Sequence, residues 1–412
     1  MIEEIGRRAR EASHALRQST GESRRQALLG MATGVEEAAP AVLEANLADM
    51  SQADGEGITG ALIDRLRLDE RRIFAMAAGL RSVASLPDPV GRETGGWSLY
   101  NGVQLHRVRV PLGVVAVIYE ARPNVTADAA GLCIRSGNAV ILRGSSYALR
   151  SNMAIARAIR QSLDAAGLPS DGVQLLEDTS REGAKALMQA TEWVDLLVPR
   201  GGPGLIAAVQ ADATVPTVID GAGNCHVYVD AAADLEKALG IVVNAKVQRP
   251  GVCNAAETLL VHEAVAEKFL GEVARALMAE NVELRGDEHA RELVPEMGEA
   301  TEEDWATEYL DLIMAVRVVP GIDVAIEHVR RYGTGHTEAI VTDDRVAADR
   351  FVAAIDTAVV AVNASTRFTD GEEFGFGAEI GNSTQKLHVR GPMGLESLTS
   401  ERYVLYGDGQ VR

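Results

Sequence analysis

The chain is short of cysteine, of long apolar runs and of clustered basic residues, and each shortage excludes a class of protein. Three cysteines in 412 residues, Cys133, Cys225 and Cys253, are an odd number at wide spacings. That excludes a closed disulfide framework and any CxxC metal knuckle. The eight histidines never fall four apart, and His262-Glu263 lacks a second histidine at Ala266, so no metal is expected. No apolar stretch approaches the about eighteen residues of a membrane span. The first residues, Met1-Ile2-Glu3-Glu4-Ile5, are acidic where a secretory leader is basic, so the expectation is a cytoplasmic chain. No Gly-Lys pair occurs, which removes the P-loop nucleotide enzymes. The net charge of −19 and the absence of any basic run make nucleic acid and anionic membrane poor partners.

What is present reads as layered α/β structure. The first ninety residues carry Ala, Leu and Arg at helical spacing, broken near Gly21, Gly34 and Gly55 and stopped by Pro87-Asp88-Pro89. From Trp97 to Val110 the period changes to two around Asn101-Gly102, which predicts a hairpin with a type I′ turn. Apolar runs at Val114 to Tyr119, Ala139 to Leu142, Val173 to Leu176 and Val194 to Val198 then alternate with Ala-rich helical stretches, the pattern of a parallel sheet covered on both faces. A second alternation follows Cys253, with strands expected at 258–261, 312–319, 338–342 and 358–362. The tail is expected to be β at Thr384 to His388 and Arg402 to Leu405.

Two local patterns carry chemistry. Gly202-Pro-Gly204-Leu-Ile-Ala207 follows a strand and opens a helix, so its amides suit a pyrophosphate, although a plain strand-to-helix turn explains the glycines equally well. Cys253 stands in Gln248-Arg-Pro-Gly-Val-Cys-Asn254, where Pro250-Gly251 force a turn and Lys246 and Arg249 favour a thiolate; the competing reading is an unreactive buried cysteine. Cys133, in an Ala-rich helix, reads as core.

Tyr119-Glu-Ala-Arg-Pro-Asn-Val-Thr126, Val198 to Ile206, Asp220-Gly-Ala-Gly-Asn-Cys-His226, Asn244 to Asn254, Tyr332 to Ile340, Arg367 to Gly371 and Lys386 to Leu395 together resemble, in order and across nearly the whole chain, the γ-glutamyl phosphate reductases of proline biosynthesis. That group is similar in fold to the aldehyde dehydrogenases. The resemblance implies a Rossmann-like NADPH domain at 1–93 and 113–242, an α/β catalytic domain at 243–384 and a small β oligomerisation arm at 94–112 and 385–412. It implies reduction of L-glutamate 5-phosphate by NADPH in a homodimer or homotetramer, with glutamate 5-kinase as a candidate partner.

By the same resemblance Cys253 is the nucleophile and Asn124 an oxyanion donor beside the Cys253 amide. Arg143, Ser145 and Ser146 would meet the cofactor's 2′-phosphate, Gly202 and Gly204 its pyrophosphate, and Glu308 the nicotinamide ribose. Arg249, Lys246, His336, Glu338 and Arg367 are the substrate-binding candidates, each equally readable as a structural ion pair. The runner-up is a hydrolytic aldehyde dehydrogenase, which needs a general base where this chain has Ile219; a third reading is an assembly subunit without activity.

Overall fold

The computed structural model of the protein describes residues 1–56 and 61–412, which form two compact units. The first comprises Met1–Asp220, Gly375–Gly381 and Pro392–Arg412; the second comprises Gly221–Phe374 and Asn382–Gly391.

The first unit begins with helices, as the composition predicts. Ile2–Gln18 buries Ala9, Ala12 and Leu16 on one stripe. Gly21–Glu37 and Glu70–Ser85 are each opened by a side-chain cap, Thr20 accepting from the Ser23 amide and Asp69 from the Arg72 amide. The hairpin is present as β1 (Glu93–Ser98) and β2 (Gln104–Pro111), but its turn is not type I′. Gly102 alone has positive φ, at 88°, and its amide donates to the Leu99 carbonyl, so a type I turn closes through one left-handed glycine. The strand Thr399–Tyr406 pairs along the other side of β2, making a three-stranded antiparallel sheet.

β3 (Val114–Tyr119), β4 (Ala139–Arg143), β5 (Val173–Leu175) and β6 (Leu196–Arg200) form a parallel sheet in the order β5-β4-β3-β6. Their runs of Val, Ile and Leu are buried on both faces, as a helix-covered parallel sheet requires. Strand order reverses at β3, so the carboxyl ends of β3, β4 and β6 border the crevice in which such sheets bind ligands.

The second unit holds a seven-stranded parallel sheet built from β7 (Cys225–Val229), β8 (Ala256–His262), β9 (Glu283–Gly286), β10 (Gly298–Glu299), β11 (Ile313–Val319), β12 (Thr337–Val341) and β13 (Val359–Val362), in the order β10-β9-β11-β8-β7-β12-β13. Val227, Val229, Leu259 and Val261 pack on the helices Leu235–Val247 and Glu263–Ala279; Tyr228, Leu260 and Ile340 face the opposite core with Phe351.

The compact units depart from the sequence expectation at several bounds, Gly375–Gly381 among them falling in the first unit, and one expected strand is absent. The first unit ends at Asp220 rather than 242, because β7 pairs with β8 and β12 and draws residues 221–242 into the second sheet. Residues 385–391 belong to the second unit and not to the arm, since Lys386 and Arg390 both pair with Asp356. Thr384 to His388 is no strand: the Ser383 hydroxyl accepts the Gln385 amide at 3.2 Å, a local bond that competes with a ladder.

Candidate active site

In the second unit, Cys253 lies at the amino end of the sheet, in the turn that leads from the helix Leu235–Val247 into β8. It forms no disulfide and is half-buried, whereas Cys133 and Cys225, also in no disulfide, are fully buried. Burial pushes the Cys133 thiol up, and burial above all, with Glu338 second, pushes Cys225 up. Neither is a thiolate source near neutrality.

The Cys253 turn is clasped from several sides. A Cβ placed on Gly223 would stand 1.5 Å from the Cys253 carbonyl oxygen, so only glycine permits this approach. The Cys225 thiol donates to that same carbonyl at 3.2 Å, and the Asn254 side-chain amide donates to the Thr369 carbonyl at 2.9 Å. Glu308 accepts the Gly223 amide at 2.7 Å, which fixes the residue that touches the turn. Asn224 donates its side-chain amide to the Trp305 and Tyr332 carbonyls, at 2.8 and 2.9 Å.

The substrate-binding candidates separate into two groups. Arg249 is exposed and Arg367 half-buried; Arg367 Nε donates to Gln248 Oε1 at 2.8 Å. The Arg367 guanidinium is held below its ordinary value, by burial first and by Arg249 as well, and Cys253 acts the other way, so both arginines and the thiol share one electrostatic neighbourhood. Lys246, His336 and Glu338 are fully buried. Lys246 meets Glu257 at 2.5 Å, His336 Nδ1 meets Thr337 Oγ1 at 2.9 Å, and Glu338 Oε2 accepts from both the amide and Nδ1 of His226, each at 2.9 Å. Lys246 is therefore a brace and not a solvent-facing base. Its partner Glu257 also accepts the amide of left-handed Leu310, whose carbonyl stands 3.7 Å from the Cβ position of Gly251.

In the first unit, Asn124 begins the helix Asn124–Arg135 at the carboxyl side of β3, is exposed, and donates Nδ2 to Asp128 Oδ2 at 3.0 Å. Asp128 was not foreseen; the signal was its place one turn after Asn124. Burial pushes its carboxyl up to about 6, against the opposing Asn124 hydrogen bond and Arg200 charge. Arg143 Nη2 donates to the Thr179 and Ser180 carbonyls at 2.5 and 2.9 Å, so it ties the next loop down, and burial lowers its pKa. Ser145 Oγ beside it is buried without a hydrogen-bond partner, and Ser146 is exposed. The Gly202 amide donates to Glu120 Oε2 at 2.9 Å, so the anion at this helix start is the chain's own carboxylate, and Gly204 has open space around it. Ile219 is buried. Among the described residues no group of three or more acidic, His or Cys side chains could hold a metal, and no helix is long and apolar enough to cross a membrane.

The sequence profile of the aldehyde dehydrogenase family matches residues 1–304. The γ-glutamyl phosphate reductase of Moorella thermoacetica is 57% identical over 411 residues, covering 100% of this chain and 98% of its own. That of Heliobacterium modesticaldum is 54% identical over 407 residues, covering 99% and 98%. The crystal structure of γ-glutamyl phosphate reductase from Thermotoga maritima matches with a TM-score of 0.97 at 47% identity, covering 100% of this chain and 99% of that one.

Two outcomes check this geometry. Gly223→Ala is expected to destabilise the chain by about 3 kcal/mol or more, since overpacking at a backbone contact cannot relax. It should also change the alkylation rate of Cys253; wild-type melting and labelling would contradict the clasp. Asp128, with a folded pKa raised from 3.8 to about 6, adds stability that is complete below about pH 4 and is lost as pH rises through 6. Denaturant titrations should show that step in the wild type and lose it in Asp128→Asn.

Proposed function

Because the chain belongs to the aldehyde dehydrogenase family and, within it, to the γ-glutamyl phosphate reductases, we propose that it reduces L-glutamate 5-phosphate to L-glutamate 5-semialdehyde and phosphate with NADPH, through a thioester on Cys253, as a step of proline biosynthesis. The observation that carries the reading is the half-buried thiol of Cys253, in no disulfide and set in a turn held against Gly223, with the charges of Cys253 and Arg249 both felt at Arg367. An acyl phosphate brings its own leaving group, and two guanidinium groups suit its dianion.

The chemistry then follows from the residues. Cys253 Sγ attacks the acyl carbon, the C–O bond to phosphate breaks, and a thioester remains. The oxygen that gains charge at each addition needs hydrogen-bond donors, and the Asn124 side chain and the Cys253 amide are the ones proposed for it. Asp128 holds one N–H of Asn124 and leaves the other for that oxygen. When the second adduct collapses, the thiolate leaves and the aldehyde forms.

The carboxyl ends of β3, β4 and β6 fit a dinucleotide, since Ser145 Oγ is a buried hydroxyl in want of a partner there and Arg143 supplies a cation. Arg143 and Ser145, with Ser146, would hold the 2′-phosphate. Glu120 must yield the Gly202 amide before that turn takes a pyrophosphate. Glu308 would reach the ribose only by sharing its bond to Gly223. The bound nicotinamide supplies the hydride.

Ile219 stands where a hydrolytic relative needs a base, and a buried isoleucine moves no proton. The thioester therefore waits for hydride or phosphate. In the reverse direction, the wild type should turn NADP⁺ over with glutamate semialdehyde, beyond the single hydride that forms each thioester, only when phosphate or arsenate is present, and Cys253→Ser should abolish turnover without altering NADPH binding. Rapid phosphate-independent oxidation would falsify the reductase reading and favour the hydrolytic one.

The three-stranded arm also supports a homodimer or homotetramer. Trp97, Tyr403, Leu405 and Tyr406 are exposed on it, and its outer strands leave edges open to pairing. Sedimentation should give a dimer or tetramer; a monomer at every concentration would contradict this.

A further inference from the structure

A cavity of about 260 Å³ opens in the second unit, where the carboxyl ends of two helices, Ile322–Tyr332 and Arg345–Ala354, meet the start of β12. Its polar lining is Glu338, Thr357, Asp356 and Arg330. Two of these present buried oxygens that no protein group meets: Glu338 Oε1, on a residue 1% exposed, and Thr357 Oγ1, on a residue 9% exposed. The Glu338 carboxylate cannot turn away, because its other oxygen is held by the amide and Nδ1 of His226. Gly333 and Gly335 keep the wall low. A Cβ on Gly333 would come within 2.9 Å of Glu338 Oε1, and Gly335 has a φ of 79°.

The charge of this cavity selects its ligand. A buried carboxylate with one oxygen unmet is costly unless a cation reaches it. The negative ends of the two helix dipoles point to the same place. Asp356 is already neutralised by Lys386 and Arg390, the latter at 2.8 Å. A bare ion fits poorly, since the space is many times that of one water. A positive pole is present as well: Arg330 is among the residues that line the cavity, and it donates through Nε and Nη2 to the carbonyl of Ala354, another lining residue, at 3.2 and 2.9 Å.

We propose that this cavity binds a small α-amino acid, with its ammonium group on Glu338 and Thr357 and its carboxylate toward Arg330. Two sources carry that head group: the glutamyl substrate, in which case the inference rests on the function proposed above, and a free amino acid acting as an effector.

The test is equilibrium binding of radiolabelled L-glutamate and glycine to the full chain without cofactor, in sodium chloride of fixed ionic strength. Saturable binding is expected in the wild type, at least tenfold weaker in Glu338→Gln and in Thr357→Val. The valine is nearly isosteric and keeps the test valid if the glutamine variant misfolds. Cys253→Ser should bind like the wild type, so failure of the thioester reading leaves this result standing. Inhibition by L-glutamate that competes with the acyl phosphate assigns the head group to the substrate, and non-competitive inhibition assigns it to an effector; either supports the site. No saturable binding, unchanged affinity in both variants, or equal displacement by potassium ion overturns it.

Discussion

The second unit depends on one contact, the backbone of Gly223 lying against the carbonyl of Cys253. Proteins pack their interiors as tightly as crystals, so a contact with no room for a methyl group transmits position without slack. Around it the partners form a chain of restraint: Glu308 holds the Gly223 amide, Cys225 holds the Cys253 carbonyl, and Asn254 holds the loop at Thr369. In the proposed reaction a nucleophile must meet its carbon at a fixed angle and distance, and these bonds would set that geometry before a substrate arrives.

The buried ion pair Lys246–Glu257 serves the same end from behind. Taking both charges out of water carries a desolvation penalty that their attraction only offsets, so the pair is a poor source of stability. Its use is directional. Glu257 fixes Leu310 in the left-handed region, and that residue backs the Gly251 side of the Cys253 turn. The two units also carry their candidate site residues at opposite strand ends. The first gathers Asn124, Arg143 and Gly202 at carboxyl ends, as open α/β sheets do. The second sets Cys253 at the amino end of β8.

Most of the layered architecture could be read from the chain, because fully buried parallel strands leave unbroken apolar runs between helices of predictable length. β7 escaped notice because it begins with Cys225-His226 after a Gly-rich turn, and with it went the boundary at Asp220. The Cys253 turn was legible from Pro250-Gly251, a local signal. The burial of Lys246, His336 and Glu338 was not legible, since what buries them is remote in sequence: Glu338 is tied to His226, 112 residues away. Charged side chains read one at a time look exposed; only pairing across strands lets them sit in a core. Asp128 lay in view, one turn from Asn124, yet its desolvation depends on the backbone of a separate helix, whose Gly79 Cβ position is 3.8 Å from Oδ1.

The central claim, that Cys253 alone carries the acyl group, is open to a direct measurement. Wild-type enzyme mixed with glutamate semialdehyde and NADP⁺ in the absence of phosphate is quenched in acid and mapped by peptide mass spectrometry. The account predicts one glutamyl group on the peptide containing Cys253, discharged when phosphate is added before the quench. A glutamyl group on the Cys133 or Cys225 peptide, or none on any peptide while NADPH accumulates, would contradict it.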